Sequence, residues 1–202
     1  MSQPCSRLET FPIPAIARSR HAVQRITLIT GPASSGKSEW AEHLAAASQR
    51  AVTYVATART NPDDAEWQLK IARHAARRPS HWRTLEVPVA LPAVLQAADA
   101  TDCLLVDSLG TWVANGLEND AAVWEAAIAS LIDSLESTAA AVIFVAEETG
   151  WGVVPAYPLG RQFRDRLGQL VRRLAASADT VQLVTGGYVL DLSALGMPLP
   201  PP

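Results

Sequence analysis

Residues 25–30, RITLIT, form a short apolar and β-branched run, and residues 31–38, GPASSGKS, follow it at once. This pairing constrains the fold more than any other part of the chain. The apolar run reads as a buried strand. Gly31 and Gly36 let the backbone curl until its N–H groups point inward, and Lys37 and Ser38 open a helix whose N-terminus carries partial positive charge. Such a loop cradles phosphate oxygens, with the lysine neutralising the outer phosphates and the serine hydroxyl offered to Mg²⁺. A strand that runs into a helix returns as a parallel neighbour, so the motif predicts an α/β domain.

The remaining pattern repeats this unit. Residues 35–48 are predicted helical, with Trp40, Leu44 and Ala47 as apolar positions, and 51–58, AVTYVATA, form a second strand. A helix over 61–79, opened by Asp63 and Asp64, stops before Pro79, and 81–88 are extended. A helix over 91–98 precedes a third strand, 102–108, which ends in Asp107. The helix predicted over 120–138 places Val123, Ile128, Leu131 and Leu135 at apolar positions, and strand 140–148 ends in Glu147 and Glu148. A glycine- and proline-bent loop, 149–158, leads to an amphipathic helix over 159–178 carrying Leu159, Phe163, Leu167, Leu170, Val171 and Leu174. Residues 180–192 hold a Gly-Gly turn between two short strands, a hairpin pattern. Strands apolar throughout imply a mostly parallel sheet covered by helices on both faces, with an antiparallel hairpin at the C-terminus. The reading is one domain over 26–192, a flexible extension over 1–25, and a Pro-rich tail over 193–202.

The overall balance narrows the partners. A net charge of −3 gives no basic field for nucleic acid or a membrane surface. No apolar run approaches the roughly 18 residues of a membrane span. Cys5 and Cys103 lie far apart and make neither a C-x-x-C metal pair nor a disulfide framework, which suits a cytoplasmic setting.

Asp107, at the end of its strand, is the acid expected to join Ser38 on Mg²⁺, although an acid there also serves as a helix N-cap or a solvated strand end. Glu147 and Glu148 end the next strand at the same sheet edge and are candidates for a base or a partner of the metal shell, or are surface acids. In KIARHAARRP, residues 70–79, a helix puts His74, Arg77 and Arg78 on one face. Arginines there attract anionic phosphates and keep the imidazole neutral and nucleophilic, while composition alone also fits a solvated basic face. His21, His43 and His81 lack such company. Of Trp67, Trp82, Trp112, Trp124 and Trp151, all suited to a core, Trp151 stands out because it sits in the glycine-containing loop at the presumed ligand edge.

Taken in order and spacing, the blocks ITLITGPASSGKSEWAE, VTYVATA, KIARHAARRPSHWRTLEVP, CLLVDSLGTWVANGL and ETGWGVVPAYPLGRQFRDRLGQLVRRLAASADTV, closed by the glycine-bearing hairpin, cover residues 26–191. Together they resemble the bifunctional adenosylcobinamide kinase / adenosylcobinamide-phosphate guanylyltransferases of cobalamin biosynthesis. The resemblance implies a RecA-like P-loop NTPase fold and a homo-oligomer, a trimer in the best-studied member. It implies phosphorylation of adenosylcobinamide by ATP or GTP, then transfer of GMP from GTP to adenosylcobinamide phosphate through a GMP–histidine phosphoramidate. That histidine falls on His74, with Lys37 as its catalytic companion. Nucleotide contacts fall on Gly31, Pro32, Ala33, Ser34, Ser35, Gly36, Lys37 and Ser38. Further contacts fall on Ala56, Thr57 and Ala58, on Ala75, Ala76, Arg77 and Arg78, and on Glu86 and Asp107. Three positions depart from the family pattern: Glu147 stands where Asn is usual, Ser108 where Cys is frequent, and Val171 where Asn is expected. They bear on the kinase half, since the His74 segment is intact. The rival readings are a P-loop kinase or NTPase without a covalent intermediate, and a non-catalytic RecA-like nucleotide-binding module.

Overall fold

The computed structural model describes residues 25–59, 63–64, 69, 71–72 and 75–199. His74, Trp67, His21 and Cys5 lie outside the described residues. The elements, in chain order, are β1 (Ile26–Gly31), α1 (Lys37–Ala47), β2 (Ala51–Ala56), β3 (Arg83–Glu86), α2 (Leu91–Gln96), β4 (Asp102–Asp107), α3 (Leu109–Asn115), α4 (Ala121–Ser137), β5 (Ala141–Glu147), α5 (Pro158–Ser177), β6 (Thr180–Thr185), β7 (Tyr188–Asp191) and α6 (Leu192–Leu195). Between β2 and β3, residues 69, 71, 72 and 75–77 are helical.

The strands form one sheet in the order β3-β2-β4-β5-β1-β6-β7, parallel except for the β6–β7 hairpin. β5 therefore stands between the glycine-loop strand β1 and the acid-bearing strand β4. Pairing register fixes what meets at the edge. Gly31 pairs with Glu147, Ala56 with both Glu86 and Asp107, and Asp107 with Val145. Residues scattered from 31 to 147 thus end on one line, at the carboxyl ends of the strands where open α/β sheets bind ligands.

Alternation along the buried strands sends side chains to two cores. Ile26, Leu28, Leu104, Val106, Val142 and Phe144 pack beneath α2, α3, α4 and α5, against Leu95, Trp112, Ile128, Leu131, Leu167 and Leu170. Ile29, Leu105, Ile143 and Val145 face the other way, onto Ala41, Leu44 and Ala45 of α1. Trp82, Trp112 and Trp124 are buried as expected of core residues.

Four local expectations change. Val123 and Leu159 are 51% and 55% exposed, because each lies in the first turn of its helix, beyond the cover of the sheet. Asp63 sits in a turn and Asp64 in irregular backbone rather than in helix. α3 is an additional helix, started by Ser108, whose side chain accepts from Thr111 N in a capping box. The expected tail begins with α6, where Ser193 Oγ accepts from Val181 N at 2.7 Å and pins residues 192–195 to β6.

Arg166 supports the connection between α3 and α4. It is 8% exposed, donates through Nη1 to Gly116 O (2.7 Å) and Leu117 O (3.3 Å) and through Nη2 to Asn119 O (2.7 Å), and lies over the Trp124 ring. Replacement by methionine retains the stem but strands three carbonyl groups. Arg166→Met is expected to cost about 3 kcal/mol, read as a lower urea midpoint with an unchanged m-value. A loss below about 1 kcal/mol would show that water replaces the guanidinium.

Candidate functional site

The loop after β1 is shaped by backbone demands that only its sequence meets. A Cβ at Gly31 would collide with Val184 O and Ser35 Oγ, so glycine lets the hairpin strand approach. Ser34 has φ of 57° and Gly36 φ of 92°, and these left-handed turns point successive N–H groups into the loop's concavity. α1 then starts at Lys37 with no side-chain cap from Gly36, leaving its first N–H groups free for a ligand. Lys37 is only 8% exposed, and its Nζ donates to Pro32 O at 3.2 Å, which folds the ammonium back over the loop. Ser35 Oγ is buried without a partner among the described residues, as a hydroxyl does when its acceptor is a bound anion.

A cleft of about 710 Å³ opens from this loop along the sheet edge. It gathers most of the residues expected from the sequence: the loop from Ala33 to Ser38, Ala56 and Ala58, Arg77 and Arg78, Glu86 and Asp107. Gly31 and Pro32 shape the loop from behind. Ala75 and Ala76 are exposed and do not line the cleft. Thr57 is fully buried and does not line the cleft, donating to Ser108 O at 2.6 Å and bonded to Thr111 Oγ1 at 2.5 Å. Its hydroxyl holds the turn after β4. His43 lies on the solvent side of α1, stacked on Trp40.

Positive charge is positioned from the segment before β3. Arg77 donates to Glu39 (2.6 Å) and Glu42 (3.3 Å) of α1, which docks this helical segment on the phosphate-loop helix. Arg78 lies 3.8 Å from the centre of the Tyr54 ring and donates to Thr84 Oγ1 at 3.1 Å. Tyr54 in turn donates to Asp107 Oδ2 at 3.0 Å. Burial, reinforced by the Asp107 charge and hydrogen bond, pushes the Tyr54 hydroxyl well above the ordinary tyrosine range, so it stays a proton donor to the carboxylate. Tyr54 was missed by sequence reasoning, which read AVTYVATA only as a buried strand. Its signal was a polar tip two residues before Ala56, on the same side of a strand that ends at the edge.

Glu147 forms a second focus. Its Oε1 accepts from Ser108 Oγ at 2.5 Å and its Oε2 from Gly110 N at 2.9 Å. A side chain on Gly110 would strike that carboxylate, so the glycine is what lets α3 seat over it. The two departures from the family pattern at 108 and 147 are thus bonded to each other.

The donor set suits a hard cation shared with phosphate. Ser38 and Asp107 line one cleft and offer only oxygen, and no cluster of three or more His, Cys, Asp or Glu fit to hold a metal alone occurs among the described residues. The whole arrangement is chemically a polyphosphate cradle with a basic wall and a carboxylate edge. No helix among the described residues is long and apolar enough to cross a membrane.

Comparison with known proteins gives the same picture. The family model CobU, cobinamide kinase / cobinamide phosphate guanyltransferase, matches residues 27–192. The bifunctional adenosylcobalamin biosynthesis protein CobP of Pseudomonas aeruginosa is 43% identical over 174 residues, spanning 85% of this chain and 98% of that protein. The bifunctional adenosylcobalamin biosynthesis protein CobU of Salmonella typhimurium is 38% identical over 175 residues, spanning 79% of this chain and 95% of its own. The solved structure of PH0250 from Pyrococcus horikoshii OT3 superposes with a TM-score of 0.52 at 8% identity, covering 84% of this chain and 88% of that one, a likeness of fold alone.

Proposed function

Because the chain belongs to the cobinamide kinase / cobinamide phosphate guanyltransferase family, we propose that it phosphorylates adenosylcobinamide and then guanylylates the product through a GMP–His74 adduct. The observation that carries this reading is the meeting of the phosphate loop, Asp107 and the Arg77–Arg78 wall in one cleft. Arg77, three residues beyond His74 in the sequence, pairs with Glu39 and Glu42 of the helix that follows that loop.

In the first reaction the acceptor hydroxyl oxygen attacks the γ-phosphorus of ATP or GTP, the bond to the β-bridging oxygen breaks, and the hydroxyl proton leaves to a base. Lys37 and the loop N–H groups take up the charge that develops on the departing diphosphate. In the second, an imidazole nitrogen of His74 attacks the α-phosphorus of GTP and pyrophosphate departs. A phosphate oxygen of adenosylcobinamide phosphate then attacks the phosphoramidate, giving adenosylcobinamide-GDP and free His74. Dividing the transfer gives each step a good leaving group. Ser38 and Asp107 are the residues that would hold Mg²⁺, whose chemistry is to neutralise phosphate oxygens. The reading includes a cytoplasmic homo-oligomer, a trimer, with small-molecule partners and no nucleic acid; sedimentation at several concentrations tests the trimer.

Incubation with Mg²⁺ and GTP labelled on the α-phosphate tests the covalent step. The expected result is protein-bound label that survives base and is released by acid, as a phosphoramidate is. An active, folded sample that turns over acceptor yet retains no label would leave a direct transfer.

A further inference from the structure

A second cleft, of about 410 Å³, lies beside the first and shares Glu147 with it. Its walls are the turn Glu148–Gly150 and one face of α5 carrying Arg164, Gly168 and Arg172. Arg164 is the unusual member. Its Nη1 is buried without a hydrogen-bond partner among the described residues. On the same helix Arg161 bonds Pro155 O and Ala156 O, Arg166 bonds three carbonyls and Arg173 pairs with Glu125, while Arg172, on the same cleft, is exposed to water. A buried guanidinium N–H left open is costly unless an acceptor arrives.

Two of the acids nearby are already directed elsewhere. Glu147 holds Ser108 and Gly110, and Glu148 Oε1 accepts from Gly150 N at 2.7 Å. Asp165, which also lines the cleft, is exposed. Gly168, one turn beyond Arg164, leaves space that a Cβ would enter without meeting any atom. A mid-helix glycine is disfavoured, and here it keeps the floor of the cleft open. Immediately beyond Gly150, which lines the cleft, the chain exposes the apolar residues Trp151, Val153 and Val154.

We propose that this second cleft is the acceptor's subsite, with Arg164 holding the phosphate monoester of the phosphorylated acceptor while its broad apolar ring covers the exposed Trp151. The proposal rests on the function given above and adds to it the position of the second substrate. A phosphate monoester fits the open guanidinium because it brings anionic oxygens in a geometry that arginine matches. The unphosphorylated alcohol makes no such contact, so Arg164 distinguishes the substrate of the second reaction from that of the first. Glu147, on the wall common to both clefts, marks where acceptor and nucleotide meet.

Equilibrium dialysis, followed by corrinoid absorbance, tests this with adenosylcobinamide and adenosylcobinamide phosphate as the two probes. The protein is expected to bind the phosphate more tightly than the alcohol. Arg164→Gln is expected to lower affinity for the phosphate about tenfold or more, with the alcohol changed less than about twofold, and Arg164→Lys to restore part of the preference. Gly168→Leu, which fills the floor and improves helix propensity, is expected to weaken both probes, with far-UV circular dichroism reporting an intact fold. An unchanged phosphate-to-alcohol ratio in Arg164→Gln, equal loss of both probes, or no preference in the unaltered protein would each overturn the proposal. Failure of the GTP label in the unaltered protein sinks the His74 adduct instead, and leaves these binding ratios readable.

Discussion

Lys37→Ala is expected to abolish both transfers, lowering kcat by on the order of 10³-fold at saturating nucleotide, while the protein remains folded. The reason lies in what the ammonium does in each state. Among the described residues its one hydrogen bond runs to Pro32 O, a contact within its own loop, so truncation strands little. With a triphosphate in place, the same group sits where negative charge grows, on the departing diphosphate in one reaction and on pyrophosphate in the other. An interaction stronger in the transition state than in the ground state appears in kcat rather than in KM. Arginine is a poor substitute, because its planar fork does not reproduce the compact point charge of an ammonium folded back over the loop. Assays with γ-labelled and α-labelled nucleotide measure the two reactions separately. If either keeps more than about a tenth of its rate, that reaction draws its phosphate stabilisation from another part of the protein.

The phosphate loop was legible because its requirements are local: glycines at fixed spacing, a lysine, a serine, a strand before and a helix after. Asp107 was legible for a related reason, since a buried apolar run ending in an acid announces both the strand and its edge. The pairing of Ser108 with Glu147 was not. These residues are 39 apart in sequence and meet only because β5 is inserted beside β4. Arg77 was expected at phosphate, and it does line the cleft, but its bonds to Glu39 and Glu42 depend on how two helices dock across the sheet edge. The burial of the Thr57 side chain was not legible, because sequence does not say to which side the residue after a strand turns. α3 was missed because Gly110, Thr111 and Val113 are poor helix formers. The helix is made instead by the Ser108 capping box and by burial of Leu109, Trp112 and Val113. In the run RQFRDRL, Arg161, Arg164 and Arg166 look alike, and only packing separates the three: Arg161 braces the preceding loop, Arg166 is buried in a scaffold, and Arg164 lines the second cleft with a buried Nη1 that has no partner among the described residues.

His74→Ala is expected to separate the two reactions. Guanylyl transfer should fall by on the order of 10⁴-fold or more, since the nucleophile of a two-step pathway has no direct replacement. Phosphoryl transfer to adenosylcobinamide should stay within a few-fold of normal, because there the acceptor hydroxyl attacks the γ-phosphorus itself. The arginine neighbours shape the expectation. Arg78 is stacked on Tyr54 and bonded to Thr84, and Arg77 is paired with the acids of α1. These contacts to α1, Tyr54 and Thr84 are expected to keep the basic wall in the variant. Added imidazole provides a further check: in His74→Gly, a free imidazole of the right basicity can enter the space, take GMP from GTP, and hand it to adenosylcobinamide phosphate. Recovery that rises with imidazole concentration, in guanylyl transfer alone, identifies a missing nucleophile. Equal loss of both reactions in His74→Ala would instead make the residue a binding contact for the nucleotide they share, and an undiminished guanylyl transfer would remove the phosphoramidate from the pathway.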